Sequence, residues 1–190
     1  MIVHNEPSVT EVSRDPARRT VFESLLAQEH YLSYRSTVGE NLKYLLCLAD
    51  GRPVAAWLFG AAAWRCEARD QWIGWSQTQR ASGLQKITNN TRVLIPQWVR
   101  VDGLASWGWA RVRRRLRRDW LAKYGHAVEV VETFVDRSRF HGGCYKASNW
   151  LGVGLTRGRG RQDRHNQNAL SIKAVYVCEL NPRSREKLCQ

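Results

Sequence analysis

Apolar and polar positions divide the chain into short, well-marked elements. Between residues 16 and 34, Val21, Phe22, Leu25 and Leu26 recur at helical spacing behind Asp15 and Pro16, which predicts a helix with Asp15 as N-cap and proline in its first turn. Residues 1–15 read as a loose polar arm. Two apolar runs, 43–49 and 54–62, flank Asp50-Gly51, a strong short hairpin signal. Their unbroken apolar character predicts cover on both faces. Residues 72–75 start another element, and Ser76 caps a short helix over 77–84. Residues 92–101 are β-rich with Pro96 in the middle, so a bulge or splayed strand is expected there.

The clearest helix covers 104–124. Trp109, Val112, Leu116 and Trp120 step by three and four along one stripe, Arg111, Arg114, Arg115 and Arg118 lie on the other side, and Gly125 stands where a helix-ending glycine belongs. Residues 128–135 form a strand, 140–150 hold a short helix after Gly142-Gly143, and 174–180 form the last strand before a short charged tail. The order predicts an α/β (α+β) fold, a mixed central sheet flanked by helices, in one domain over 16–182 with a tail at 183–190.

Charge narrows the partners. In 190 residues, 30 Lys and Arg stand against 17 Asp and Glu, a net charge of +13, which favours polyanions such as nucleic acid, anionic lipid or phosphorylated cofactors. No apolar run is long enough for a membrane span, and the N-terminus lacks the features of a secretory signal. Five scattered cysteines without a C-x-x-C pair predict reduced thiols in a cytoplasm, mostly as small core fillers. His141 and Cys144 have no second pair at ligand spacing, so no metal is expected.

The junction Arg100-Val101-Asp102-Gly103-Leu104-Ala105 carries the most chemistry. A strand ends, glycine allows a tight turn, and a helix starts with unpaired N–H groups at its positive end. Such a turn is either a pyrophosphate cradle or a plain capped helix start. It resembles the acyl-CoA-binding turn Q/R-x-x-G-x-G/A of the GNAT (Gcn5-related N-acetyltransferase) superfamily, and the run from Leu94 to Trp98 resembles what precedes that turn. The resemblance implies acetyl-CoA or a related acyl-CoA held by Arg100, Val101, Asp102, Gly103, Leu104 and Ala105. Asp102 is unfavourable beside a pyrophosphate. Downstream, Cys144-Tyr145-Lys146-Ala147-Ser148-Asn149-Trp150 resembles the GNAT run L-Y-x-x-x-G-F, which implies that Tyr145 protonates the departing thiolate. The other reading of Tyr145 is a packed phenol with a hydrogen-bonded hydroxyl.

A longer pattern is more specific. The stretches 131–136, 139–150 and 154–161, with Leu58-Phe59-Gly60-Ala61-Ala62-Ala63-Trp64, Trp72-Ile73-Gly74-Trp75, residues 89–95 and Leu104-Ala105-Ser106, resemble the DruA family of the Druantia anti-phage systems over about residues 31–180. Related domains occur beside or within transposase-like proteins. Asp136 through Trp150 is also distantly similar to the phage Mom type of DNA-modification protein. These resemblances imply nucleic acid as partner, DNA before RNA, together with other defence-system or transposase proteins.

Glu132 and Asp136 lie four apart on one strand and so share a face. Asp136 is a candidate base, or else pairs with Arg137 or Arg139 or caps the next helix. Glu132 either pairs with a buried arginine or is the base itself. Asn149, Asn89 and Asn90 could read a base edge or serve turns. Arg157, Arg159, Arg161 and Arg164, in a glycine-rich strip, suit phosphates. Trp57, Trp109 and Trp120 are expected in the core. Trp64, Trp72, Trp75, Trp98, Trp107 and Trp150 leave room for one or two that stack on an unpaired base. The resulting expectation is a defence or mobile-element protein with a GNAT-like acyltransferase fold acting on nucleic acid. The alternatives are an inactive DNA-binding module and an RNA- or ribosome-associated acyltransferase.

Overall fold

The computed structural model describes residues 7–158 and 171–190. Its strands are β1 (Ser8–Glu11), β2 (Leu42–Cys47), β3 (Pro53–Ala61), β4 (Ile87–Leu94), β5 (Val130–Asp136), β6 (Leu151–Leu155) and β7 (Lys173–Glu179). Its helices are α1 (Pro16–Glu29), α2 (Glu67–Ile73), α3 (Gln77–Gly83), α4 (Leu104–Tyr124), α5 (Gly143–Ala147) and α6 (Ser184–Lys187). The strands form one mixed sheet in the order β1-β2-β3-β4-β5-β7-β6. Two compact units divide the chain, Met1–Ala61 with Asn90–Ala127 and Ala62–Asn89 with Val128–Gln190, so β4 is shared between them.

In the first unit, β2 and β3 form the expected antiparallel hairpin around Asp50-Gly51. Gly51 N–H donates to Leu48 O at 2.9 Å, and Leu48 N–H donates to Arg52 O at 2.9 Å, closing the turn. Residues 8–11 are not loose: β1 pairs antiparallel with β2, so the polar start of the chain supplies a strand. Asp15 does cap α1, accepting from Arg18 N–H at 3.1 Å, with proline in the first turn. The helix stops at Glu29, where His30 leaves the helical conformation. Phe22 and Leu26, one turn apart, reach the core beside Val12, Leu45, Ala56, Leu58 and Leu94, whereas Val21, a hundred degrees round the helix, is exposed.

Helix α4 matches its predicted bounds and stripe, with Trp109, Val112, Leu116 and Trp120 all buried and Gly125 ending it in the left-handed region. Trp109 stacks on Phe59 with centroids 6.1 Å apart. On the helix flank, Asp119 accepts from Tyr44 Oη at 3.0 Å and Arg115 Nε at 2.5 Å, so Arg115 is partly spent inside the unit.

In the second unit, β4 begins at Ile87, five residues before its expected start, and lies parallel to β5 over three pairs ending at Asn89 and Glu132. Its polar sequence, ITNN, hid this start. It ends at Leu94, ahead of Pro96, which has no N–H to give to a ladder. β5 pairs antiparallel with β7, and β7 with β6, a glycine-bearing strand that the hydrophobic pattern does not reveal. Helix α2 was also unforeseen, since seven residues are too few for a clear period. Ser76 and Gln79 form a full capping box at the start of α3.

The charged end of the chain is not a free tail. Leu188 is buried with Ile73, Trp75, Ile87, Val130 and Val177, and Ser184 Oγ donates to Glu129 Oε2 at 3.0 Å. Of the five cysteines, Cys66 and Cys178 are buried fillers as expected, Cys47 and Cys189 are half-buried, and Cys144 is exposed. Among the described residues, no helix is long and apolar enough to cross a membrane.

Candidate functional site

The Arg100–Ala105 turn lies in the first unit. Leu104 N–H reaches Val101 O at 3.4 Å, Gly103 adopts φ +71°, and α4 follows at once. A residue with a side chain is strained at that φ, which explains the glycine. The space around Gly103 is open, since a Cβ built there meets nothing within 4 Å. No side chain caps the helix. Trp107 N–H donates to Gly103 O at 2.9 Å, but the N–H groups of Ala105 and Ser106 have no acceptor among the described residues. These amides stand at the positive end of a 21-residue helix, where an anionic oxygen is favoured. Arg100, Val101 and Asp102 are exposed around the turn, and Leu104 is buried beneath it. The exposed Asp102 opposes an anion at the same place.

Tyr145 lies in the second unit, on α5. Gly142 precedes that helix at φ +69°, and a Cβ there would come within 2.7 Å of Tyr176 Oη, so both backbone and packing require glycine. The Tyr145 ring stacks on Tyr176 at 5.9 Å and meets the edge of Trp150 at 5.0 Å. Its hydroxyl accepts from Thr133 Oγ1 at 3.3 Å. The residue is half-buried, a ring set in an aromatic cluster with a hydroxyl pointed along a polar contact.

The two carboxylates on β5 have different fates. Glu132 is wholly buried and takes the first of its two expected roles. Its Oε2 accepts from Arg69 Nη1 at 2.8 Å and its Oε1 from Ala63 N–H at 2.6 Å. Burial pushes its carboxyl up, while Arg69 and the Ala63 N–H pull it back. With both oxygens occupied and no solvent contact, it is a structural partner of Arg69. Asp136 accepts from Ser138 Oγ at 2.7 Å, Ser138 N–H at 3.0 Å and Ser171 Oγ at 3.0 Å, in place of Arg137 or Arg139. The Ser138 bonds foremost, then Ser171 and the charge of Lys173, hold its carboxyl below the usual range. A carboxylate so well satisfied is a weak base.

Asn149 is exposed at φ +59° and ends the α5 turn, with its N–H on Lys146 O at 3.1 Å. Asn90 donates from Nδ2 to Leu58 O and Arg92 O, both at 3.1 Å. The side-chain oxygen of Asn89 is buried with no partner among the described residues. Arg157, expected on phosphate, forms an exposed ion pair with Glu67. Arg159, Arg161 and Arg164 lie outside the described residues.

Arg69 organises this region and is not among the residues that the sequence singles out. Its signal was Glu67 and Asp70 in a first helical turn, a charge pattern that marks a helix start. Of the remaining tryptophans, Trp75 and Trp150 are core residues, while Trp64 and Trp98 are 68% and 55% exposed.

A family profile described as Druantia protein DruA matches residues 3–187. No curated protein matches the sequence. Among solved structures, the spermidine/spermine N-acetyltransferase SpeG from Vibrio cholerae is similar at a TM-score of 0.53 and 6% identity, covering 92% of this chain and 93% of that one. The structure of Tetrahymena GCN5 is similar at 0.51 and 9% identity, covering 92% and 97%.

Proposed function

From the premise that the chain belongs to the Druantia DruA family and has the fold of the GNAT acetyltransferases, we propose that it is an acyltransferase of an anti-phage system that acts on nucleic acid. The observation that carries this reading is the Gly103 turn. Its open approach and the amides of Ala105 and Ser106, which have no acceptor among the described residues, suit the pyrophosphate of acetyl-CoA or a related donor. Arg100 adds an exposed guanidinium to the same turn.

The donor supplies an activated acyl group on a thioester. This chain's residues would bind and orient it through the turn. An amine of the acceptor would attack the thioester carbonyl and break its C–S bond, and Tyr145 would give its hydroxyl proton to the departing thiolate and recover one from the attacking amine. The net charge of +13 supports a polyanionic partner, DNA before RNA, and the family supports a setting with other defence proteins. Asp102 favours a second reading, a GNAT-like module that has lost its donor and binds nucleic acid within such a system.

Calorimetry with acetyl-CoA separates the two. The wild type is expected to release heat, and Gly103→Glu, which adds a side chain and a charge at φ +71°, is expected to abolish it. Tyr145→Phe should keep that heat but lose most thiol release in the presence of nucleic acid. A silent wild type leaves the binding module. Heat that survives Gly103→Glu moves the donor elsewhere.

A further inference from the structure

Arg69 and Glu132 take no part in the proposed transfer, yet both side chains are wholly buried. Taking two charges out of water is costly unless their remaining lone pairs and protons are satisfied. Here Asp70 Oδ1 accepts from Arg69 Nε and Nη2, and the other bonds of the pair fall on Ala63, in the loop before α2. Glu132 Oε1 accepts the Ala63 N–H at 2.6 Å, and Arg69 Nη1 donates to Ala63 O at 2.9 Å as well as to Glu132. The next carbonyl, Trp64 O, accepts from Arg80 Nη1 at 3.2 Å. Arg80 in turn leans on Asp70, 4.0 Å away, which is bound to Arg69 at 2.8 Å. Charged groups thus fix the backbone of two successive residues.

What this clamp holds out is Trp64, the most exposed tryptophan among the described residues at 68%. A large aromatic ring on a rigid backbone loses little freedom on contact, so it is prepared for a partner. The charge around it selects the partner. Arg65, the next residue, is exposed and forms no ion pair with an acid among the described residues. The nearby acids are taken, Glu67 by Arg157 and Asp70 by Arg69. An aromatic face beside a guanidinium with no acid paired to it among the described residues, and with the nearby acids taken, matches a base with its phosphate. It matches an apolar protein surface poorly.

We propose that Trp64 is a stacking platform for an unpaired nucleobase, with Arg65 as the adjoining phosphate contact. This rests on the nucleic-acid partner proposed above and adds the form of that partner, a single-stranded or extruded base. Stacking tolerates any base because every base has a π-face, so the platform would grip without reading sequence.

The test is fluorescence anisotropy with a labelled oligothymidylate and the same oligomer carrying abasic residues. Trp64→Ala is expected to weaken the oligothymidylate by about 5- to 150-fold. Trp64→Phe should lose less, and the abasic oligomer should bind wild type and Trp64→Ala equally. Because Trp64 is exposed, its loss does not open the core. Unchanged affinity in Trp64→Ala, or an equal loss on the abasic oligomer, overturns the platform. A wild type that binds neither oligomer overturns the nucleic-acid partner itself, and the acetyl-CoA measurement is unaffected by either result.

Discussion

Single side chains here behave according to what surrounds them more than according to their type. His30 is a case with a measurable consequence. Its Nδ1 accepts Leu32 N–H at 3.2 Å, and burial foremost, with the charge of Arg92, lowers its pKa from 6.5 to about 4. The folded state therefore refuses a proton that the unfolded chain accepts. Above pH 6.5 both states are neutral and His30 has no effect. As pH falls from 6.5 towards 4, protons bind the unfolded state first and stability drops. Urea midpoints at pH 7 and pH 5 are expected to fall in the wild type and to fall less in His30→Asn, which keeps an acceptor for Leu32. Equal falls in both proteins would remove His30 as the cause. Glu132 and Asp136 teach the same lesson. They share a strand and a periodic face, yet one is locked to Arg69 without solvent and the other is satisfied by serines.

At the scale of elements, α4 concentrates the molecule's clearest demands. Gly108 lies mid-helix, where alanine would gain about 0.5–1 kcal/mol from backbone entropy alone. A Cβ there would, however, stand 2.2 Å from Cη2 of Trp57, a ring buried to 2%. The indole has no room to retreat, so overpacking outweighs propensity. Gly108→Ala is expected to lower unfolding stability by about 1–3 kcal/mol, read from denaturant midpoints. A stabilised variant would mean that helix and sheet adjust more freely than their packing implies. The helix was legible because its stripe spans several turns and its end is marked by glycine. The short elements were not: α2 has seven residues and β6 has five, two of them glycine. In such pieces, tertiary contacts decide the conformation that propensity leaves open.

For the whole molecule, the excess of positive charge is the broadest property, and it makes a prediction about salt. If duplex DNA is the partner, the logarithm of affinity should fall linearly with the logarithm of salt concentration. Each phosphate contact contributes a slope of about 0.9. Replacing Arg157, Arg159 and Arg161 with Gln should flatten that slope by about 0.9 for each residue on a phosphate. The Glu67 ion pair already occupies Arg157, so Arg157→Gln alone should change the slope less than the triple variant. An unchanged slope in the triple variant would place the phosphate contacts outside this strip.

Periodicity and turn chemistry were enough to establish a mixed fold, the hairpin, the α4 helix with its closing Gly125, and the glycine turn before it, and composition fixed the net charge of +13. These features are local: they depend on residues a few positions apart, and one chain carries them wherever it folds. Only the tertiary structure decided that the first polar residues form a strand, that the last ones dock Leu188 in a core, and that Arg69, 63 residues from Glu132 along the chain, meets it without water. It also separated the tryptophans that fill space from Trp64, which faces solvent. Burial and ion pairing depend on which distant segments come together, and no window along the sequence contains that information.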